Sequence, residues 1–86
     1  GVVASNDVQA LEIAAIYQQQ GLRMGQDFFI TGYDGSQLIR CIAPQLPTVI
    51  QPIPKLAAAL IKTLLKRVTE PTAAVSSVTL PVEFHE

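Results

Sequence analysis

What these 86 residues have little of excludes several kinds of chemistry. A single cysteine, Cys41, rules out an internal disulfide and a multi-cysteine zinc site, and it reads as a small buried hydrophobe. The one histidine, His85, stands near the chain end without Cys, His or acidic partners at ligand spacing, and reads as a surface residue. Charge is scarce. Six Lys and Arg against seven Asp and Glu leave a net charge of −1, and no basic patch is dense enough to grip a phosphate backbone. No stretch reaches the roughly 18 apolar residues that a membrane helix needs. Neither Ser36 nor Thr31 sits in a nucleophile elbow, and "GYDGSQ" lacks the glycine spacing and the lysine of a phosphate-binding loop. Neither an enzyme nor a metal or cofactor site is expected.

What the chain does have is the composition of an interior: 49% hydrophobic residues, 15% charged and a mean hydropathy of +0.33. A chain this short buries only about 60 to 65% of the surface its unfolded form exposes, and a free-standing domain of that size usually carries a more polar skin. The opening "GVVAS" enters directly as an apolar run. The expectation is therefore a piece of a larger protein, or a chain covered by a partner.

The residues lay out alternating elements. "GVVA" reads as an apolar strand, and "SNDVQ" supplies capping groups with Asn6 and Gln9 at capping-box spacing. A helix is predicted from Asp7 to Gln20, closed by Gly21 in the left-handed conformation. Val8, Leu11 and Ala15 share one face of it while Ile13, Ile16 and Tyr17 spread the apolar surface further round, which implies two partners. "FFIT" reads as a strand covered on both faces, followed by "GYDG" as a loop and by a short helix that Pro44 stops. "QLPTVIQP" is a short extended segment. Pro54 opens a helix over 55 to 68, with Leu56, Leu60 and Leu64 on one face and Lys55, Lys62 and Lys66 on a polar arc. "SSVTLPVEF" is a last strand, and Pro81 places it at an edge.

Strand, helix, strand, short helix, short strand, long helix, strand is the order of an α/β fold with a parallel sheet. Such sheets take ligands beyond the carboxyl ends of their strands. "SND" follows the first strand and "GYDG" the second, so Asn6 and Asp34 are placed to line one crevice. An amide that donates and accepts, beside a carboxylate that accepts from two hydroxyls, suits a polyhydroxylated ligand. Plainer readings exist for each: Asn6 and Asp7 as a helix cap, Asp34 as a turn former, Gln51 as a loop amide held between prolines, Tyr33 as a loop anchor.

Four stretches, "ASNDVQAL", "GLRMGQDFFITGYDG", "PQLPTVIQP" and "TLPVEF", occur in an order and spacing that resemble the C-terminal part of the effector-binding region of LacI/GalR family transcriptional regulators. That resemblance implies a two-lobed fold of the type I periplasmic-binding-protein kind, with residues 1–50 in the C-terminal lobe. Residues 51–74 would form a helix returning to the N-terminal lobe, and 75–86 a final strand and crossover. By the same match, Asn6, Asp34 and Gln51 contact ligand, and Leu11 and the neighbourhood of Ile42 lie at a subunit interface. The implied protein is a cytoplasmic homodimer that binds a sugar or related metabolite and controls DNA binding through an upstream headpiece, without a membrane. The chain departs from the regulators at Gly35, where they commonly carry Asp or Asn, and at Pro47 in "LPTV" for the usual "LTTV". Gly35 is closer to the secreted sugar-binding relatives, which supply the alternative: a binding protein of a transport system with the same cleft and no DNA partner.

Overall fold

The computed structural model describes all 86 residues as two compact units, one made of Gly1–Gln51 with Val82–Glu86 and the other of Pro52–Pro81. The element order is β1 (Val2–Val3), α1 (Asp7–Gln19), β2 (Ile30–Asp34), α2 (Gln37–Ile42), β3 (Thr48–Ile50), α3 (Ile53–Thr69) and β4 (Glu83–His85). The strands form one sheet in the order β1-β2-β3-β4, parallel across the first two pairs and antiparallel at β3 with β4. This is the α/β class expected, with a parallel-dominated sheet. The strand containing or following Pro81 does lie at the edge, but only Glu83–His85 pairs, not the longer run from Ser76.

In the first unit, α1 begins where Asn6, in extended conformation, accepts at Oδ1 from the Gln9 backbone N–H at 2.9 Å. The reciprocal half of the capping box is missing, because the Gln9 side chain pairs with the Ser5 hydroxyl instead. The helix closes as its glycine predicts. Gly21 takes φ +84°, its N–H donates to the Gln18 carbonyl, and Leu22 N–H donates to Tyr17, the paired bonds that satisfy the last carbonyls of a helix.

The buried stripe of α1 differs from the one expected. Asp7, Ala10 and Ala14 are buried and Tyr17 half-buried, while Val8, Ala15 and Ile16 are exposed. Small side chains let the helix lie close over β2, and the core collects Ala4, Ala10, Ala14, Phe28, Ile30, Ile39, Ala43 and Leu46. Phe28 meets Tyr17 edge to face with ring centroids 4.9 Å apart.

Two single-residue expectations are overturned here. Cys41 is exposed on α2, whose buried contact is Ile39. His85 is half-buried in β4 opposite Thr48, because strand pairing fixes it in the sheet.

The second unit is dominated by α3. Pro52 is its cap and Pro54 falls in its first turn, where a missing N–H costs nothing, and Lys66 and Arg67 occupy the last turn. Arg67 also donates to the Ala73 carbonyl at 2.6 Å, tying the segment that follows back to the helix. No residue of α3 is buried.

Candidate functional site

Asp34 is not in a loop beyond a strand. It is the last residue of β2, because "GYD" pairs in register with "TVI": Gly32 with Thr48, Tyr33 with Val49 and Asp34 with Ile50. The ladder overrides the weak strand propensity of Gly and Asp. Phe28 and Phe29 lie before the strand, with Phe28 bridged to Met24.

At this carboxyl end the backbone turns sharply. Asp34 has φ 129°, which residues with a side chain rarely adopt, and Gly35 follows at φ +62°. A conformation such as that of Asp34 costs on the order of 1–3 kcal/mol and persists only where surrounding contacts hold it. Three hydrogen bonds do so. Gln51 N–H donates to the Asp34 carbonyl at 3.1 Å, Gln51 Nε2 donates to Asp34 Oδ1 at 2.7 Å, and Gly35 N–H donates to Asp7 Oδ2 at 2.8 Å.

Asp7 is the residue that sequence reasoning took for a cap alone. Its side chain lies in the interior, with the residue 2% exposed, and its other oxygen accepts from the hydroxyl of Thr48, itself 1% exposed. A buried carboxylate demands such partners, since an unpaired one is costly. Both of its oxygens are satisfied, and its place in the first turn of α1 is one where the helix macrodipole favours an acid. Gly32 makes the room. A Cβ there would stand 3.0 Å from the Asp7 Cα and closer still to Oδ1. At Gly35 a Cβ would stand 2.9 Å from the Ile50 Cα and 2.6 Å from its Cγ1, so the Asp or Asn common in regulators would not fit this turn without a shift.

Of the three ligand candidates, the structure brings Asp34 and Gln51 into direct contact. Asn6 makes no hydrogen bond to either, and its Oδ1 is committed to the helix cap. Asp34 is exposed and Gln51 and Asn6 are half-buried. The exposed carboxylate keeps Oδ2 free of protein donors, while Oδ1 holds Gln51. Of the interface candidates, Ile42 is 64% exposed at the end of α2, whereas Leu11 is half-buried against the core. Pro47, the second departure, precedes β3. Its carbonyl accepts from Gly32 N–H at 2.9 Å, so the proline keeps the half of the peptide that the ladder uses there.

A cavity of about 500 Å³ lies elsewhere, along Phe29, Thr31, Pro47 and Phe84. It borders the amino-terminal part of β2 and holds none of Asn6, Asp34 and Gln51, so the strand ends carry the stronger claim.

Polar side chains thus gather where two adjoining parallel strands end, the position at which open α/β sheets take their ligands. A periplasmic binding protein-like domain model matches residues 1–86, and the chain belongs to that family in the form found in LacI-family transcriptional regulators. The ribose operon repressor of Haemophilus influenzae is 40% identical over 70 residues, which are 81% of this chain and 21% of that protein. The sucrose operon repressor of Pediococcus pentosaceus is 34% identical over 85 residues, 98% of this chain and 26% of the repressor. Among solved structures, a LacI family regulator from Enterococcus faecium with bound ribose superposes with a TM-score of 0.86 at 34% identity, covering 100% of this chain and 32% of that one. The Lac repressor bound to ONPG gives 0.81 at 30% identity, covering 99% and 25%. The chain thus spans about a quarter of the length of the curated relatives it matches.

Proposed function

We propose that this chain is the carboxyl-terminal part of a sugar-effector domain in a transcriptional regulator. The observation that carries the reading is the Asp34–Gln51 pair, joined at 2.7 Å at the carboxyl ends of β2 and β3 with Asp34 exposed. A carboxylate whose one oxygen is fixed by an amide presents the other to a sugar hydroxyl in a set direction, and a charge-assisted O–H···O bond is stronger than a neutral one. Asn6 Nδ2 is the further donor on the same edge. The names of the relatives support a sugar, since two are repressors of sugar operons and one structure holds ribose. They also favour a regulator over a transport protein.

In this reading no bond is made or broken. Sugar favours one arrangement of two lobes and so shifts the population seen by a DNA-binding headpiece upstream. Residues 1–50 belong to the C-terminal lobe, 51–74 return to the N-terminal lobe and 75–86 complete the crossover. The parent protein is a cytoplasmic homodimer, with Ile42 and the Leu11 side of α1 at the interface. Titration of the full-length protein with D-ribose and with sucrose by calorimetry tests the binding. Asp34→Asn is expected to weaken the sugar that binds by about 10- to 100-fold, the cost of a charged hydrogen bond, with the fold intact. Unchanged affinity would remove Asp34 from the site.

A further inference from the structure

Asp34 is held by neighbours, and one of them contributes nothing to the cleft surface. Gln51 is part of the edge that a ligand would meet. Asp7 is sealed beneath it, 2% exposed, and cannot touch a ligand without unfolding the start of α1. Yet Asp7 Oδ2 holds the N–H of Gly35, the peptide group that directly follows the strained Asp34, and Oδ1 holds Thr48, the residue paired with Gly32 in β3. Its two oxygens therefore fasten three elements at one point: the first turn of α1, the end of β2 and the start of β3.

The surrounding residue types agree with that arrangement. Gly32 lacks the Cβ that would collide with this carboxylate, and Gly35 supplies the positive φ that lets its N–H point inward. Thr48 is the one hydroxyl-bearing residue of β3 and is turned to the interior. If the carboxylate were only a favourable charge at a helix N-terminus, a solvated position would serve, without a glycine beneath it and a buried hydroxyl beside it.

We propose that Asp7 is a positioning residue for the ligand site: it anchors the Gly35 peptide and thereby holds Asp34 in the backbone conformation that presents its carboxylate beside Gln51. The proposal rests on the sugar-site reading for its functional part only, because the anchoring itself is a property of the ligand-free protein.

Two measurements on the full-length protein separate these parts. The first is hydrogen exchange of the Gly35 amide without ligand. Asp7→Ala is expected to remove its protection while the core amides of Ile30 and Ala14 stay protected. Asp7→Asn is expected to restore most of it, because a carboxamide can accept from Gly35 through its oxygen and donate to the Thr48 hydroxyl through its nitrogen. The second is calorimetric titration with D-ribose and with sucrose. Asp7→Ala is expected to lower affinity about tenfold and Asp7→Asn less than about threefold. In an Asp34→Asn background, Asp7→Ala should cost less than about twofold more, because residues acting through one group are not additive. A stabilising role without positioning would leave the two losses independent.

Full Gly35 protection in Asp7→Ala, or losses that multiply, would overturn the proposal. Should Asp7→Ala not fold, Thr48→Val removes one donor to the same carboxylate, and the absence of any coupling with Asp34→Asn would overturn it equally. If neither sugar binds the unaltered protein, the sugar reading fails for both, and the exchange of the Gly35 amide alone decides whether Asp7 is the anchor.

Discussion

The two units of this chain are built by different rules. In Gly1–Gln51 with Val82–Glu86, the elements are short, several are poor in intrinsic propensity, and packing holds them: β2 contains Gly and Asp, and α1 buries alanines. In Pro52–Pro81, α3 is a 17-residue helix made of good helix formers, with a proline start, a basic last turn and a continuous apolar stripe, yet none of its residues is buried. The first unit shows tertiary contacts overriding local preference, and the second shows local preference satisfied without tertiary burial. Substitutions should therefore act on the two through different terms.

The largest effect is expected in the packed unit. Leu46 is 1% exposed and belongs to the core between α2 and β3, so Leu46→Ala should cost about 2–5 kcal/mol, loss of transfer energy plus a cavity. Urea unfolding followed by circular dichroism measures it. A loss below about 1 kcal/mol would mean that this core is loose enough to collapse around the deletion, and the contrast with α3 would shrink.

Next comes the backbone at the site. Gly32→Ala puts a methyl against Asp7, where backbone as well as carboxylate stands in the way, and should cost about 1–3 kcal/mol as overpacking does. Gly35→Ala meets Ile50 and adds the strain of a positive φ. In the same unfolding assay, Gly21→Ala provides the reference: it has a positive φ but nothing within 4 Å of a Cβ, and so carries the conformational cost alone. If Gly35→Ala were no worse than Gly21→Ala, the close approach to Ile50 would be yielding rather than rigid.

These glycines also mark where sequence reading stopped. The order of elements was legible because apolar runs, caps and prolines are local signals. Asn6 caps the helix it precedes, Gly21 ends it, and Pro54 stands in the first turn of α3. The place of Asp34 at a strand end was legible through the same punctuation, although the strand continues through "GYD" because of pairing with residues 16 positions further on. Asp7 was not legible. A carboxylate at the first position of a helix reads alike whether it is solvated or buried, and only the register that sets Thr48 beside Gly32 reveals its partners. The signal that could have found it was the set of two glycines three apart and a threonine opening a short apolar strand, which has meaning only once those strands are neighbours. The buried stripe of α1 escaped for a related reason, since alanine carries little weight in an apolar pattern but permits the closest helix–sheet approach.

A smaller effect is expected at the cap. Asn6→Ala removes the acceptor for Gln9 N–H and should cost about 1 kcal/mol, whereas Asn6→Ser should keep most of that stability. The pair also tests the ligand site. A cap needs only the side-chain oxygen, so serine rescues stability, but a sugar contact through Nδ2 would not be rescued. Recovery of both thermal stability and sugar affinity by serine would confine Asn6 to the helix.

The smallest effect should come from the unit that local preference builds. Leu60 lies mid-way along the apolar stripe of α3 and is 62% exposed, so Leu60→Ala removes little buried area and replaces leucine with the better helix former. For the 86-residue chain the change should lie within about 0.5 kcal/mol, as for surface positions in general. In the full-length protein the same substitution reads out the lobe assignment proposed for this helix. Covering the stripe would turn Leu60 into a core position, and the loss should then rise toward the 2–5 kcal/mol expected of Leu46. A near-neutral result in both would leave α3 a solvent-facing helix whose leucines pack against nothing, and would break the assignment of residues 51–74 to a second lobe.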